Sequence, residues 1–287
     1  MNANAKLQQL QALLAGERCV IAGSVFDPLS ARIADEVGFE IGILGGSVAS
    51  FAVLGAPDLI LLTLSELAEQ TRRICRASRL PVLIDADHGY GNSLNVMRSV
   101  QELAHAGASG LSIEDTLLPR AFGSGSTPQL IPLEEGVGKL RAAVAAARPA
   151  GIAVFARTSA SAINGIEDAV LRLQAYERTG VDGIFLPQIK SRKELDTIAE
   201  GTTLPIILGN PHADLADFDY LSSRRVRVCL RGHQGFSASV QALYDTAKAV
   251  YEGTAPEALR NVAPQSLMAR LTRESEYERI SNEFLKP

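Results

Sequence analysis

Three acidic residues stand where short apolar runs end. Asp85 and Asp87 close the segment PVLIDAD (81–87), and Glu114 falls at the end of GLSIED (110–115). If each run is a strand, residues two apart face the same side, so Asp85 and Asp87 would converge, with Glu114 ending the neighbouring strand. Three carboxylates this close repel one another unless a cation lies between them. An all-oxygen donor set selects Mg²⁺ or Mn²⁺ over Zn²⁺, and Mg²⁺ keeps several waters while touching one or two carboxylates. The alternative is that one or more of these acids, Asp115 above all, caps the helix that follows.

Arg157 falls near the end of IAVFART (152–158), where its guanidinium fork could grip a substrate carboxylate or a developing enolate oxygen. An ion pair with Glu114 is its structural alternative and is compatible with that role. Gly45-Gly46-Ser47 ends another run, and glycine lets bare backbone N–H groups approach an oxyanion. Asn210 and His233 end the last two runs. With Gly46, Ser47 and Arg157 they complete the substrate-binding candidates, and Ser47, Arg157 and His233 are the candidates for direct participation in catalysis. His233 is also readable as a satisfied structural histidine. Cys19, Cys75 and Cys229 read as packing residues, because none lies at a strand's catalytic end beside a base.

These positions share one cavity only if the runs close on each other. Eight candidate strands begin at Cys19, Glu40, Pro81, Gly110, Ile152, Gly183, Leu204 and Val226, with amphipathic stretches such as LSELAEQTRRICRAS and EDAVLRLQAYERTG between them. Eight β-then-α units predict a (β/α)₈ TIM barrel, since parallel strands need crossover helices and eight of them can close without an edge. An open doubly wound sheet is the rival. The expected domain is single, 1–287, with residues 264–285 as an additional C-terminal helix whose Leu267, Leu271, Ile280 and Phe284 could cover the barrel floor or reach a neighbouring subunit. Two connections are long: 48–62, and 116–132 with a GSGSTP stretch suited to a mobile lid.

The 287 residues carry 28 Lys+Arg against 32 Asp+Glu, and no long basic run could neutralise a row of phosphates, so nucleic acid is not expected as a partner. No segment reaches the roughly 20 apolar residues that span a bilayer, and the first residues lack a secretory pattern. Few, scattered cysteines suit the cytoplasm. Dinucleotide, Walker, HExxH and GxSxG motifs are missing.

The segments SVFDPLSARIADEVGFEIGILGGSVAS, DADHGYGN, IEDTLLP, ART and RGH, across residues 20–250, resemble the isocitrate lyase and phosphoenolpyruvate mutase superfamily, most closely its oxaloacetate decarboxylase branch. The resemblance implies a (β/α)₈ barrel whose extra C-terminal helix is exchanged between subunits of a homotetramer, a dimer of dimers. It also implies Asp85 as the direct Mg²⁺ ligand, Asp87 and Glu114 as holders of the metal's waters, and Ser47, Arg157 and His233 as substrate contacts. Asp58 matches a gating-loop aspartate of the mutase branch.

One departure narrows the chemistry. Carbon–carbon lyases of that superfamily carry a KRCG-type segment whose Cys supplies a proton, and the corresponding stretch here is Pro119-Arg120-Ala121-Phe122-Gly123. Phe122 has no proton to give, so cleavage between C2 and C3 of a 2-hydroxy acid lacks its acid. The expected reaction is Mg²⁺-dependent decarboxylation of a 2-oxo dicarboxylic acid, oxaloacetate to pyruvate and CO₂. The alternatives are a 2-methylisocitrate lyase-like reaction, phosphonate processing, or a barrel that binds a dicarboxylate or metal without turnover.

Overall fold

A computed structural model of the chain describes residues 3–123, 125 and 127–286; Ser124 and Ser126 of the expected GSGSTP lid lie outside them. Each of the eight apolar runs folds as a strand: β1 (Val20–Ser24), β2 (Gly42–Leu44), β3 (Val82–Asp85), β4 (Gly110–Glu114), β5 (Ala153–Arg157), β6 (Gly183–Pro187), β7 (Ile206–Gly209) and β8 (Val226–Leu230). Every strand pairs in parallel with the next, and β8 pairs with β1, which closes the barrel. The chain divides into two compact units, Met1–Gly232 with all eight strands and His233–Pro287 with the last helices.

In the first unit the helices are α1 (Ala3–Ala15), α2 (Pro28–Val37), α3 (Gly46–Leu54), α4 (Leu64–Ala77), α5 (Ser93–His105), α6 (Leu133–Ala150), α7 (Ala160–Ile163), α8 (Ile166–Glu177), α9 (Arg192–Gly201) and α10 (Phe218–Ser223). Their starts follow local chemistry. Asp27, Thr63 and Asn92 close capping boxes with Ser30, Glu66 and Asn95, so a side chain on each side satisfies an otherwise orphaned N–H.

Strand alternation sorts the side chains into two layers. Val20 and Ala22 of β1, Leu83 of β3, Ala153 and Phe155 of β5, Phe185 of β6, Ile207 of β7 and Val228 and Leu230 of β8 form one buried cluster inside the barrel. Phe155 needs room there, and glycines on the flanking strands provide it. A Cβ on Gly183 would lie 2.9 Å from the ring, and one on Gly110 would lie 3.0 Å away. Helix α1 closes the cluster from one end: Leu10 is fully buried within it, and Leu7, Leu13 and Leu14 pack against it. The Lys6 ammonium fastens this plug by donating to the carbonyls of Cys75 (2.5 Å) and Ser78 (2.8 Å), at the negative end of the α4 dipole.

Two stretches differ from expectation. Residues 48–62 read as a long connection, but their first part belongs to α3, which starts after Gly45 and ends on a left-handed Gly55. The remaining loop is strained, with Ile60, a β-branched residue, at φ 60°. In the second unit, α11 (Gln234–Tyr251) is followed by two helices where one was expected, α12 (Gln265–Thr272) and α13 (Glu274–Phe284). Arg273, at φ 58°, takes a left-handed turn that ends the first of them. Leu271 is buried, whereas Phe284 is exposed, and no residue of α11 or α13 is buried.

Candidate active site

The alternation that turns Leu83 and Phe155 inward carries Asp85 and Arg157, two residues on, to the C-terminal mouth of the barrel. The same spacing on β4 aligns Gly110, Ser112 and Glu114. Asp85 Oδ1 faces Ser112, whose hydroxyl donates to it at 3.4 Å. Asp85 Oδ2 accepts from the Gly46 N–H at 3.3 Å and from Arg157 Nη1. Glu114 Oε2 accepts from the Thr116 hydroxyl at 2.6 Å and stands 3.8 Å from Arg157 Nη2.

Asp87 reaches the group by a different route from the one its spacing suggested. Strand β3 ends at Asp85, and Asp87 lies beyond it in a left-handed turn at φ 47°. The turn rests on β4: the Ala86 N–H donates to the Ser112 carbonyl, and the Glu114 N–H donates to the Asp87 carbonyl. Burial pushes the Asp87 carboxyl well above the usual carboxylate range, and the charges of Asp85, Glu114 and Asp58 push it further. Burial also raises Glu114 and Asp58. These acids therefore share one electrostatic neighbourhood in which negative charge is crowded.

Arg157 is the cation of that neighbourhood. Burial works against its charge, but Asp85 and Glu114 outweigh it and raise its pKa. The Phe185 ring lies 5.6 Å from the guanidinium carbon, and Arg157 Nε is buried without a hydrogen-bond partner among the described residues.

Among the described residues, no three Asp, Glu, His or Cys side chains close around one point as a cage would. The donor set fits a hard ion that takes one or two carboxylates directly and keeps its waters, the habit of Mg²⁺, and does not fit a closed all-protein site. Gly46 explains how the mouth stays open to such an ion. A Cβ there would lie 2.8 Å from Asp87 Oδ1 and 3.7 Å from Asp85 Oδ2. Gly46→Ala is expected to displace Asp87 and lower kcat/KM by about 10²-fold, the scale of a 1 Å misplacement, with little change in Tm. Steady-state kinetics beside thermal melts would check this, and unchanged kcat/KM would contradict it.

The remaining candidates are placed as follows. Ser47 is half-buried in the first turn of α3. Asn210 is exposed at the end of β7 with φ 49°, and no hydrogen bond joins its side chain to the acid group among the described residues. His233 opens the second unit as the residue before α11.

Asp115 does not cap a helix. It points outward, opposite to Glu114, and its Oδ2 accepts from Tyr176 (2.7 Å), Thr158 (2.9 Å) and Arg172 (3.0 Å). Sequence reasoning also missed Ser112 and Thr116, although their two-residue spacing from Glu114 was a usable signal. It missed Tyr90 as well, whose hydroxyl is buried without a hydrogen-bond partner among the described residues; burial raises its pKa, and the charges of Asp87, Asp85 and Asp58 raise it further.

Comparison with known proteins adds to this geometry. The family described as phosphoenolpyruvate phosphomutase matches residues 10–251. An oxaloacetate decarboxylase of Bradyrhizobium diazoefficiens is 54% identical over 269 residues, covering 94% of this chain and 93% of that one. One of Rhodopseudomonas palustris (strain BisB18) is 51% identical over 285 residues, 99% of each chain. Among solved structures, a phosphonopyruvate hydrolase in complex with oxalate and Mg²⁺ superposes with a TM-score of 0.86 at 28% identity, covering 100% of both chains.

Proposed function

Because the chain belongs to the phosphoenolpyruvate phosphomutase family, we propose that it is a Mg²⁺-dependent oxaloacetate decarboxylase that releases pyruvate and CO₂. The observation that carries this reading is the meeting of Asp85, Asp87 and Glu114 with Arg157 at the barrel mouth, beside the Gly46 backbone. The full-length relatives at about half identity bear that activity in their names.

Asp85 is proposed to bind Mg²⁺ directly, with Asp87 and Glu114 holding its waters and Mn²⁺ as a substitute. Bound there, the ion supplies the Lewis acidity that lets a 2-oxo acid accept the electron pair left behind by CO₂. Arg157 grips a substrate carboxylate and then faces the negative charge that develops on the 2-oxo oxygen. The Gly46 and Ser47 amides, at the N-terminus of the nine-residue α3, add positive potential to the same place. His233 and Asn210 orient the substrate in this scheme.

The lyase alternative lacks its acid. Phe122 is fully exposed and carries no dissociable proton, and Cys19, Cys75 and Cys229 are buried within the fold. Burial pushes the Cys19 and Cys75 thiols up to about 12.

A homotetramer with exchanged C-terminal helices is part of the proposal. It is supported by α11, which exposes Val240, Leu243, Tyr244 and Val250 and buries none of them. A cytoplasmic setting suits the three free cysteines, and among the described residues no helix is long and apolar enough to cross a membrane. The test is product detection on oxaloacetate, 2-methylisocitrate, 2,3-dimethylmalate and phosphonopyruvate, corrected for decarboxylation by dissolved metal. Pyruvate is expected from oxaloacetate, with loss of turnover in EDTA and recovery with Mg²⁺. Turnover of another member of the panel in preference to oxaloacetate would refute the assignment.

A further inference from the structure

Arg157 spends its terminal nitrogens on the acids of the site, although its task in the reaction is to hold a substrate carboxylate. Nη1 contacts Asp85 Oδ2 and Nη2 lies 3.8 Å from Glu114 Oε2, while the buried Nε–H has no acceptor among the described residues. The choice of oxygen matters. Asp85 Oδ1 is turned to the Ser112 hydroxyl, whereas Oδ2 lies on the side of Gly46 and Asp87, the side on which the acids converge. The guanidinium therefore sits on the oxygen best placed to receive a cation.

We propose that Arg157 and the divalent metal compete for Asp85 Oδ2, so that metal binding frees the guanidinium for the substrate and imposes an order of metal first, substrate second. This rests on the Mg²⁺-dependent reading above. Two positive charges on one carboxylate oxygen repel, and no second acid within 4 Å of Nη1 competes for it among the described residues. Arg157 balances the crowded acids until the ion takes over that duty. The released fork, with Nε–H now able to join Nη in a bidentate grip, then matches a planar carboxylate. Because binding couplings are reciprocal, whatever holds Arg157 on Asp85 must weaken the metal by the same factor.

Calorimetry of Mg²⁺ binding in the absence of substrate, on chelator-treated wild type and on Arg157→Gln, tests the competition. A crystal structure of the wild type with Mn²⁺ alone tests its geometry. The neutral variant is expected to bind Mg²⁺ about 5- to 150-fold more tightly, the usual range of a coupling between two sites. Arg157→Met is expected to do the same and stands in if the first variant does not fold. The Mn²⁺ structure is expected to show Arg157 withdrawn from Asp85. Unchanged or weaker Mg²⁺ binding in the neutral variants would overturn the proposal, as would Mn²⁺ bound with the Arg157–Asp85 contact intact. A wild type that binds no Mg²⁺ at all would instead overturn the metal-dependent reading on which it rests.

Discussion

Asp85→Asn is expected to lose metal-dependent decarboxylation by about 10³-fold or more while remaining folded, the scale on which a single charge-stabilising group acts in an active site. Asparagine keeps the shape and one acceptor oxygen, which can still take the Gly46 N–H, while its amide NH₂ can donate to the Ser112 hydroxyl in place of accepting from it; the charge is removed. That charge is what the site needs, because Asp85 is the carboxylate proposed to touch the ion, while Asp87 and Glu114 hold its waters. The same change relieves the repulsion that Asp85 exerts on Asp87, Glu114 and Asp58. Arg157 loses its Asp85 ion pair but keeps Glu114 at 3.8 Å, which offsets part of this relief, so Tm is expected to hold. Kinetics at saturating Mg²⁺ and a thermal melt on the same preparation measure both effects. Wild-type turnover by a chelator-treated and Mg²⁺-reconstituted Asp85→Asn would remove this carboxylate from the mechanism.

The second large effect concerns stability. Asp115→Ala is expected to destabilise the protein by about 3–5 kcal/mol and to lower Tm by roughly 10 °C. Asp115, Thr158, Arg172 and Tyr176 are all buried, and the carboxylate is the acceptor common to the other three. Without it the guanidinium keeps the Ile131 carbonyl and the Tyr176 hydroxyl, each at 3.2 Å, and the half-buried Asp168 at 3.0 Å as its remaining acid among the described residues, and two hydroxyls lose their acceptor. Removing one member of a buried pair costs more than the pair contributes, because the other charge stays behind without compensation. Denaturant unfolding of Asp115→Ala beside Arg172→Met would measure it. A loss below about 1 kcal/mol in both would show that the network carries no load.

The barrel was legible because its strands announce themselves as eight apolar runs, each followed by a helical pattern. The acids at the strand ends were legible because barrel topology makes those ends converge. What escaped has identifiable causes. GSVASFAVL is apolar on all sides, so α3 shows no helical stripe. Asp87 joins Asp85 through a left-handed turn that spacing alone cannot reveal, since a strand was assumed to continue through it. The break at Arg273 has neither glycine nor proline to mark it. The Asp115 network joins residues 57 and 61 positions apart, although the i, i+4 pairing of Arg172 and Tyr176 on α8 was a partial clue.

The stopper formed by Leu10 and its neighbours shuts one end of the barrel, and the packed interior behind it leaves no passage from that end to the acids at the other. A gas and a keto acid produced at that mouth must depart by the same doorway through which their precursor arrived.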